Sequence, residues 1–328
     1  MSLTRGLFFR ALLVLLSFCC VLPNALAWNA AGHRLSAYIA WQQLDPQTRQ
    51  IVTYLLKQHP DYPSWLREHR ESASLPLLVF TEAANWADAI KGDRRFYDLN
   101  EASPTPLLAG FPDMERHREW HYVDRSACLN ERDALLKQPG VQAGSLDQQI
   151  SALAYILVRR DASETQRAYA LVWLIHLLAD AHQPLHAFSR YDEAGNSDEG
   201  GNLFRVHNPF RPRSPSMSLH AYWDDLPGPP WLRAGALAKK AAKVIRAYPP
   251  SLAVFGGVCQ WLSESAAMAR AIAYPLPPSA LAEHSAPVIT SAFHQRSLAA
   301  SEKRIAQSAY RLARLLKQLL EQPQPKHS

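Results

Sequence analysis

The sequence predicts an all-α fold in a single domain, with at most a small β-hairpin. Three observations lead there. Apolar residues recur at helical spacing along most of the chain, strand signals are few, and no long flexible linker or internal repeat divides the 328 residues. A chain of this length can bury one sizeable core or two small ones.

Residues 1–27 read as a secretory signal. Arg5 and Arg10 form a basic start, Ala11 to Leu22 an apolar centre, and Ala25-Leu-Ala27 a small-x-small cleavage site. The apolar run is too short to span a bilayer comfortably, so it reads as cleaved rather than as an anchor. No other stretch is apolar enough to cross, so no stable membrane insertion is expected after cleavage. The expected destination is export, periplasmic or secreted. The domain is expected over 28–321, with a frayed tail at 322–328. The formal charge of +6 falls once Arg5 and Arg10 leave, and a mildly basic balance suits an anionic substrate.

Within the domain, His33 to Leu44 carries Leu35, Tyr38, Ile39 and Leu44 on one stripe. Asp45-Pro46 restarts a helix through Leu56, and Val79 to Ile90 reads as another. Asp147 to Val158 and Glu164 to His182 read as long helices, the second capped by Ser163. Ser218 to Leu226, Ala236 to Ala247 and Leu252 to Ala273 follow. Pro287 to Leu320 closes the chain with Leu298, Ile305, Leu312, Leu315 and Leu319 inward. Asn202 to Val206 reads as half of a hairpin near the Gly200-Gly201 turn. Proline-rich loops lie at 100–112, 208–216, 227–230 and 275–278.

Of four cysteines, Cys19 and Cys20 lie in the signal. Cys128 and Cys259 remain, either as two buried thiols or as a disulfide. Export favours pairing, because two free thiols are a liability in an oxidising compartment.

The densest chemistry is His176-Leu-Leu-Ala-Asp180-Ala-His182-Gln-Pro184-Leu-His186. His176 and Asp180 stand four apart, so on a helix they project from one face about 5–6 Å apart. Pro184 breaks an ordinary helix, so the chain turns there and can bring His186 back. His220 and Asp224 repeat the spacing. One such pair alone is commonly a salt bridge or a cap. Two of them, with His186 close by and His33, Asp88, His121 and Asp124 elsewhere along the chain, point to a metal. Nitrogen and carboxylate oxygen without thiolate suit zinc in a site with open positions. The surplus of ligands points to more than one ion, as in clamps for phosphoryl transfer.

In order along the chain stand Trp28-x-x-x-Gly-His33, Trp86-Ala-Asp88-x-x-Lys91, His121-Tyr-Val-Asp124, the 176–186 block, Gly200-Gly-Asn202 and Leu219-His220-x-x-Trp-Asp224. Together they resemble the zinc-dependent class I nucleases, the single-strand-specific nucleases of fungi and plants with bacterial relatives. Trp261-x-x-Glu264-Ser265 and Tyr310-Arg-Leu-Ala fit the family's C-terminal part more loosely. The resemblance implies three zinc ions per chain. Asp88, His121, His176 and Asp180 would hold the first, and His186, His220 and Asp224 the second. Trp28, through its free amine and carbonyl oxygen, would hold the third with His33, Asp180 bridging. The amine exists only after cleavage, so the precursor would be inactive. Asp88 would orient the attacking water, and Lys91 would meet charge on the phosphate. Tyr122, Asp124, Gly200 and Asn202 would form a pocket for an unpaired base. The implied substrates are single-stranded DNA, RNA and nucleotides, cut by endonuclease and 3′-nucleotidase action to 5′-phosphate products. The oligomeric state is left open, with a monomer favoured.

The sequence departs from the family at Asn29 and Ala179, where glycine is common, and at Lys91, where arginine is frequent. Cys128–Cys259 is compatible with one family disulfide, and others are absent. Two rivals are a related zinc phospholipase C and a secreted zinc-binding protein without turnover. Trp86-Ala-Asp88 with Lys91, and Asn202 with Asp124, favour a nucleotide pocket. His117 and His182 are not read as ligands, and His182 is expected to orient another side chain. His59, His69, His207, His284, His294 and His327 are expected on the surface.

Overall fold

The computed structural model describes residues 28–67, 74–100, 103–124, 144–192, 194–275 and 286–321. Helix α1, Ala30–Gln43, starts at Asn29, whose side chain accepts from the Ala31 and Gly32 amides. That cap places the start ahead of the expected His33, because it satisfies amides the first turn leaves bare. Helix α2, Pro46–Lys57, follows the Asp45 cap with proline in its first turn. The short α3 is Tyr62–Leu66, α4 is Leu75–Ala83 and α5 is Trp86–Ala89. Helix α6 is Leu146–Val158 and α7 is Glu164–Asp180. Ser163 and Gln166 form a reciprocal capping box at the start of α7. Helix α8 is Leu219–Asp225, α9 Ala234–Ala247, α10 Val258–Met268 and α11 Ser291–Leu320. Among the described residues the strands are β1, Arg205–His207, and β2, Ser216–Ser218, an antiparallel hairpin with Val206 opposite Met217.

Helix α7 is the centre. Every residue from Ala168 to Asp180 is buried, and α1, α2, α5, α6 and α11 pack around it. A helix apolar on all sides can only be satisfied by such enclosure. Its consequence is that His176 and Asp180, in the last turn, are delivered into the interior rather than to the surface.

Several elements differ from the expectation. The span expected as one helix from Val79 to Ile90 starts at Leu75, with Pro76 in its first turn, and breaks at Ala84-Asn85. A 3₁₀ turn, Ile90–Gly92, then follows α5. The helix expected from Leu252 is divided. Pro250–Leu252 is a 3₁₀ turn, Gly256-Gly257 interrupts with Gly256 at positive φ, and α10 starts at Val258 before passing into a π turn, Ala269–Ala273. The closing helix starts at Ser291 behind the Thr290 cap, not at Pro287. Residues 287–289 are extended instead and bond to His207 beside the hairpin. His59 is buried among Trp65, Trp86 and Phe111, not exposed. The signal, Cys128, His69, His284, His327 and the tail lie outside the described residues, and Cys259 stands in α10.

Candidate metal centre

Five segments far apart in sequence meet at the end of α7. His176 and Asp180 leave it side by side, with His176 Nε2 3.2 Å from Asp180 Oδ2. The chain then turns through Gln183, whose side-chain oxygen accepts from the Leu185 amide and starts the 3₁₀ turn Pro184–His186. That turn returns His186 to the site, as Pro184 implies. His33 comes from α1, Asp88 from α5 and His121 from a 3₁₀ turn, Arg118–His121. His220 and Asp224 come from α8, capped by Ser218.

The side chains form three groups, each with one ligand atom per residue within 4.8 Å of the others. They are His33, His176 and Asp180; Asp88, His121 and His176; and His186, His220 and Asp224. His121 Nδ1 lies 2.9 Å from Asp180 Oδ2. His33 Nε2 lies 3.5 Å from Asp180 Oδ1 and 3.7 Å from Asp88 Oδ2. Asp180 therefore faces His121 and His176 with one oxygen and His33 with the other. Every member of these groups except Asp88 is buried.

Hydrogen bonding fixes which nitrogens face the centre. His176 Nδ1 donates to the Ala84 carbonyl at the break between α4 and α5, His186 Nδ1 to the His121 carbonyl, and His220 Nδ1 to the Gly200 carbonyl. A carbonyl only accepts, so each of these rings, when neutral, turns its Nε2 lone pair inward. His186 Nε2 and His220 Nε2 stand 3.1 Å apart. Two lone pairs repel at that distance unless a cation lies against both. His33 has no hydrogen-bond partner on either nitrogen, and Asp180 Oδ1 has none. Buried acceptors without partners are costly. Burial, reinforced by neighbouring cationic groups, holds His33, His121 and His186 well below the usual imidazole range. His176 moves the other way, because Asp180 and Asp88 outweigh its burial. Burial pushes Asp180 up to about 6 and Asp224 well above the usual carboxylate range. Divalent cations reverse both penalties, holding carboxylates ionised and taking the lone pairs. The residues present fit metal ions.

Trp28 is fully buried, its indole donating to the Ala179 carbonyl, while the Asn29 amide bonds the Asp224 carbonyl. The start of the described chain is thus held between the two His-x-x-x-Asp pairs. Gly32 allows this, since a Cβ there would lie 2.6 Å from Trp28 Cβ. Lys91 Nζ is 2.7 Å from Asp88 Oδ1, both side chains largely enclosed.

Of the four residues expected to line a base pocket, Asp124 and Gly200 are joined through Ser189. Its hydroxyl donates to Asp124 Oδ1 and accepts from the Gly200 amide. Gly200 has φ +61°, and a Cβ would sit 2.5 Å from the Leu185 carbonyl oxygen, so only glycine fits. Tyr122 is half-buried; its burial, with the nearby Asp124, raises its phenol to about 12. Asn202 donates its amide to the Glu199 carbonyl.

Some residues of the site carry no signal of their own in the sequence. Gln183 donates to Asp224 Oδ1 at 3.0 Å, orienting that carboxylate. Ser189 has no motif. Behind the turn, Arg304 and Arg311 of α11 share Glu264 of α10. Arg304 donates to the His182 carbonyl and Arg311 to His182 Nε2, while His182 Nδ1 donates to Leu178. His182 thus couples the turn to α11 and faces away from the three groups.

His117 with Glu115 and Glu119 makes a further cluster of ligand types. Its Nε2 bonds Asp113 at 3.0 Å. Burial opposes its charge, but Asp113 and Glu119 outweigh it and carry the pKa to about 9. These carboxylates favour the protonated ring. Because the folded value lies above the ordinary 6.5, its stabilisation is complete below about pH 6.5 and disappears as pH rises through about 9. We expect His117→Gln to lower stability by about 2–3 kcal/mol at pH 6. The difference from wild type should shrink as urea denaturation is repeated toward pH 9.5.

The family model described as S1/P1 nuclease matches residues 28–321. Among curated relatives, Endonuclease 2 of Arabidopsis thaliana is 26% identical over 202 residues, covering 62% of this chain and 56% of its own length. Endonuclease 1 of the same plant is 26% identical over 238 residues, covering 68% of this chain and 60% of its own length. The chain thus spans less than two thirds of either relative. The family match runs from the buried Trp28 to the end of α11 and takes in every residue of the three groups, so the chain belongs to the S1/P1 nuclease family.

Proposed function

We propose that this chain is an exported, zinc-dependent nuclease that cuts single-stranded DNA and RNA, and the 3′-phosphate of nucleotides, leaving 5′-phosphate products on polynucleotides. The observation that carries this is the meeting of imidazole nitrogens, those of His33 without partners, and a partnerless Asp180 oxygen at the end of α7. Three zinc ions would occupy this centre. Asp88, His121, His176 and Asp180 would hold the first, and His186, His220 and Asp224 the second. His33, Asp180 and the amine and carbonyl oxygen of Trp28 would hold the third. That amine exists once residues 1–27 have been removed as a signal. The exported chain acts as a monomer, with Cys128 and Cys259 paired as a disulfide.

Bound zinc supplies Lewis acidity toward a phosphoryl oxygen and acidifies water. The protein supplies position and proton handling. Asp88, the least enclosed member of the groups, orients the attacking water and accepts its proton. Lys91, 2.7 Å from Asp88, brings a fixed cation to the charge that develops on phosphate. The ring of Tyr122 stacks an unpaired base, and Asp124 reads its edge. A base paired in a duplex cannot reach such a pocket, which supports the preference for single strands.

Ser189 holds Asp124 in place, so Ser189→Ala should raise KM about tenfold, with kcat nearly unchanged and base preference relaxed. Steady-state rates on a set of dinucleotides check this. The reading as a whole is tested by protein starting at Trp28, loaded with zinc. It should hydrolyse single-stranded DNA and RNA to 5′-phosphate ends and leave phosphatidylcholine intact. Cleavage of the lipid alone would make it a phospholipase, and no turnover on either would make it a zinc-binding protein.

A further inference from the structure

We propose that the outward face of α9, together with Trp231, is a track that docks the backbone of long single-stranded nucleic acid outside the metal centre. The inference rests on the nucleic-acid reading above.

Charge is segregated here. The whole chain has 35 lysines and arginines against 29 acids, yet from Leu226 to Ser263 there is no acid. Arg233, Lys239, Lys240, Lys243 and Arg246 all fall in that span. Two of the five are used in the fold. Arg233 bonds Glu82 at 3.0 Å, and Lys240 turns into the seam with α11 to bond Glu302. Leu237, Ala241 and Val244 face inward. Lys239, Lys243 and Arg246 stay exposed, and no described carboxylate pairs with them. At i, i+4 and i+7 they share one face, about 6 and 4.5 Å apart along the axis. The helix dipole accounts for a cation in the last turn, such as Arg246, but not for Lys239 in mid-helix.

Just before α9, Trp231 is 75% exposed. Its loop is fastened to the first turns of α1, Gly228 and Pro230 carbonyls accepting from Asn29 and Arg34. The track therefore begins beside the helix that carries His33 and runs about 20 Å along α9. An indole in water followed by a row of unpaired cations is what a single strand uses, bases stacking and phosphates pairing. An anionic membrane would share the charge complementarity. The residues between the cations argue against it. Beside and between them the exposed apolar residues of α9 are Ala236, Ala242 and Ala247, which leaves Trp231 as a lone large apolar side chain to enter a bilayer.

The test uses the mature, zinc-loaded protein and a variant carrying Lys239→Gln, Lys243→Gln, Arg246→Gln and Trp231→Ala. Three assays are run. One measures affinity for a long, cleavage-resistant phosphorothioate single strand across a salt series. The second measures hydrolysis of a dinucleotide, and the third binding to phosphatidylglycerol vesicles. We expect the variant to bind the long strand at least tenfold more weakly in low salt. Its salt slope should fall by about 2, from three lost phosphate contacts. Dinucleotide hydrolysis should be unchanged. Equal affinity and slope in both proteins, with dinucleotide hydrolysis intact, overturns the track. Loss of binding to phosphatidylglycerol vesicles with strand affinity unchanged also overturns it and assigns the face to a membrane. If wild type neither binds the strand nor cuts the dinucleotide, the nuclease reading itself has failed.

Discussion

Asp180→Asn should cost hydrolysis about 10²–10⁴-fold and remove bound metal at the same time. The carboxylate is fully buried and faces His121 and His176 with one oxygen and His33 with the other. No single-point change touches more of the centre. The amide would keep the volume but bring an N–H toward bare nitrogens and drop the bridging charge. Two of the three proposed ions should weaken together, while the group at His186, His220 and Asp224 keeps its own. Metal analysis after gel filtration should therefore show stoichiometry falling toward one, alongside the lost rate. Full stoichiometry with full rate would mean that Asp180 bridges nothing. The substitution relieves the cost of burying a carboxylate, so metal-free variant protein should be no less stable than metal-free wild type. That separates lost ligation from lost folding.

The second large effect lies behind the site. Glu264→Gln should lower stability by about 3 kcal/mol, because Arg304 and Arg311 are almost fully buried and share that one carboxylate. Removing one partner leaves two buried cations under-compensated, though the partial exposure of Glu264 lets water soften the loss. The same arginines grip His182, so the turn between Asp180 and His186 should loosen as well. Zinc affinity should fall by about tenfold or more in the variant. The pH dependence has a definite sign. Burial raises the Glu264 carboxyl, but the two arginines outweigh it and hold it below 4.5. Its stabilisation is therefore present above about pH 4.5 and is lost as pH falls through the folded value. Denaturant titrations should show wild type and variant converging in acid.

The centre was legible in uneven measure. His176 with Asp180 and His220 with Asp224 could be read from spacing alone, because both partners ride on one helix and helix geometry fixes their distance. The return of His186 followed from Pro184. Nothing in spacing brings His33, Asp88 and His121 to the same place; only resemblance to a known pattern of motifs does, since their meeting is long-range packing around α7. Gln183 sat inside a legible motif but its role did not show, because an amide has no metal or proton preference to betray it. Arg304 and Arg311 were harder still. They interrupt the inward stripe of the last helix, and charge at such positions reads as solvated surface until Glu264 is seen opposite. His59 failed for the same reason, its aromatic surroundings coming from α3, α5 and a loop. The all-α class was easy and the boundaries were not. Caps at Asn29 and Thr290 and breaks at Asn85 and Gly256 moved helix ends without changing the periodic signal.

The most direct measurement is anomalous diffraction at the zinc edge from crystals of protein that begins at Trp28. Three peaks are expected. One should touch Asp88, His121 and His176, one His186, His220 and Asp224, and one His33 with the Trp28 amine, Asp180 lying between the first and the last. Zinc-replete crystals with no peak among these side chains, or with Asp180 bound to none, would contradict the proposed centre.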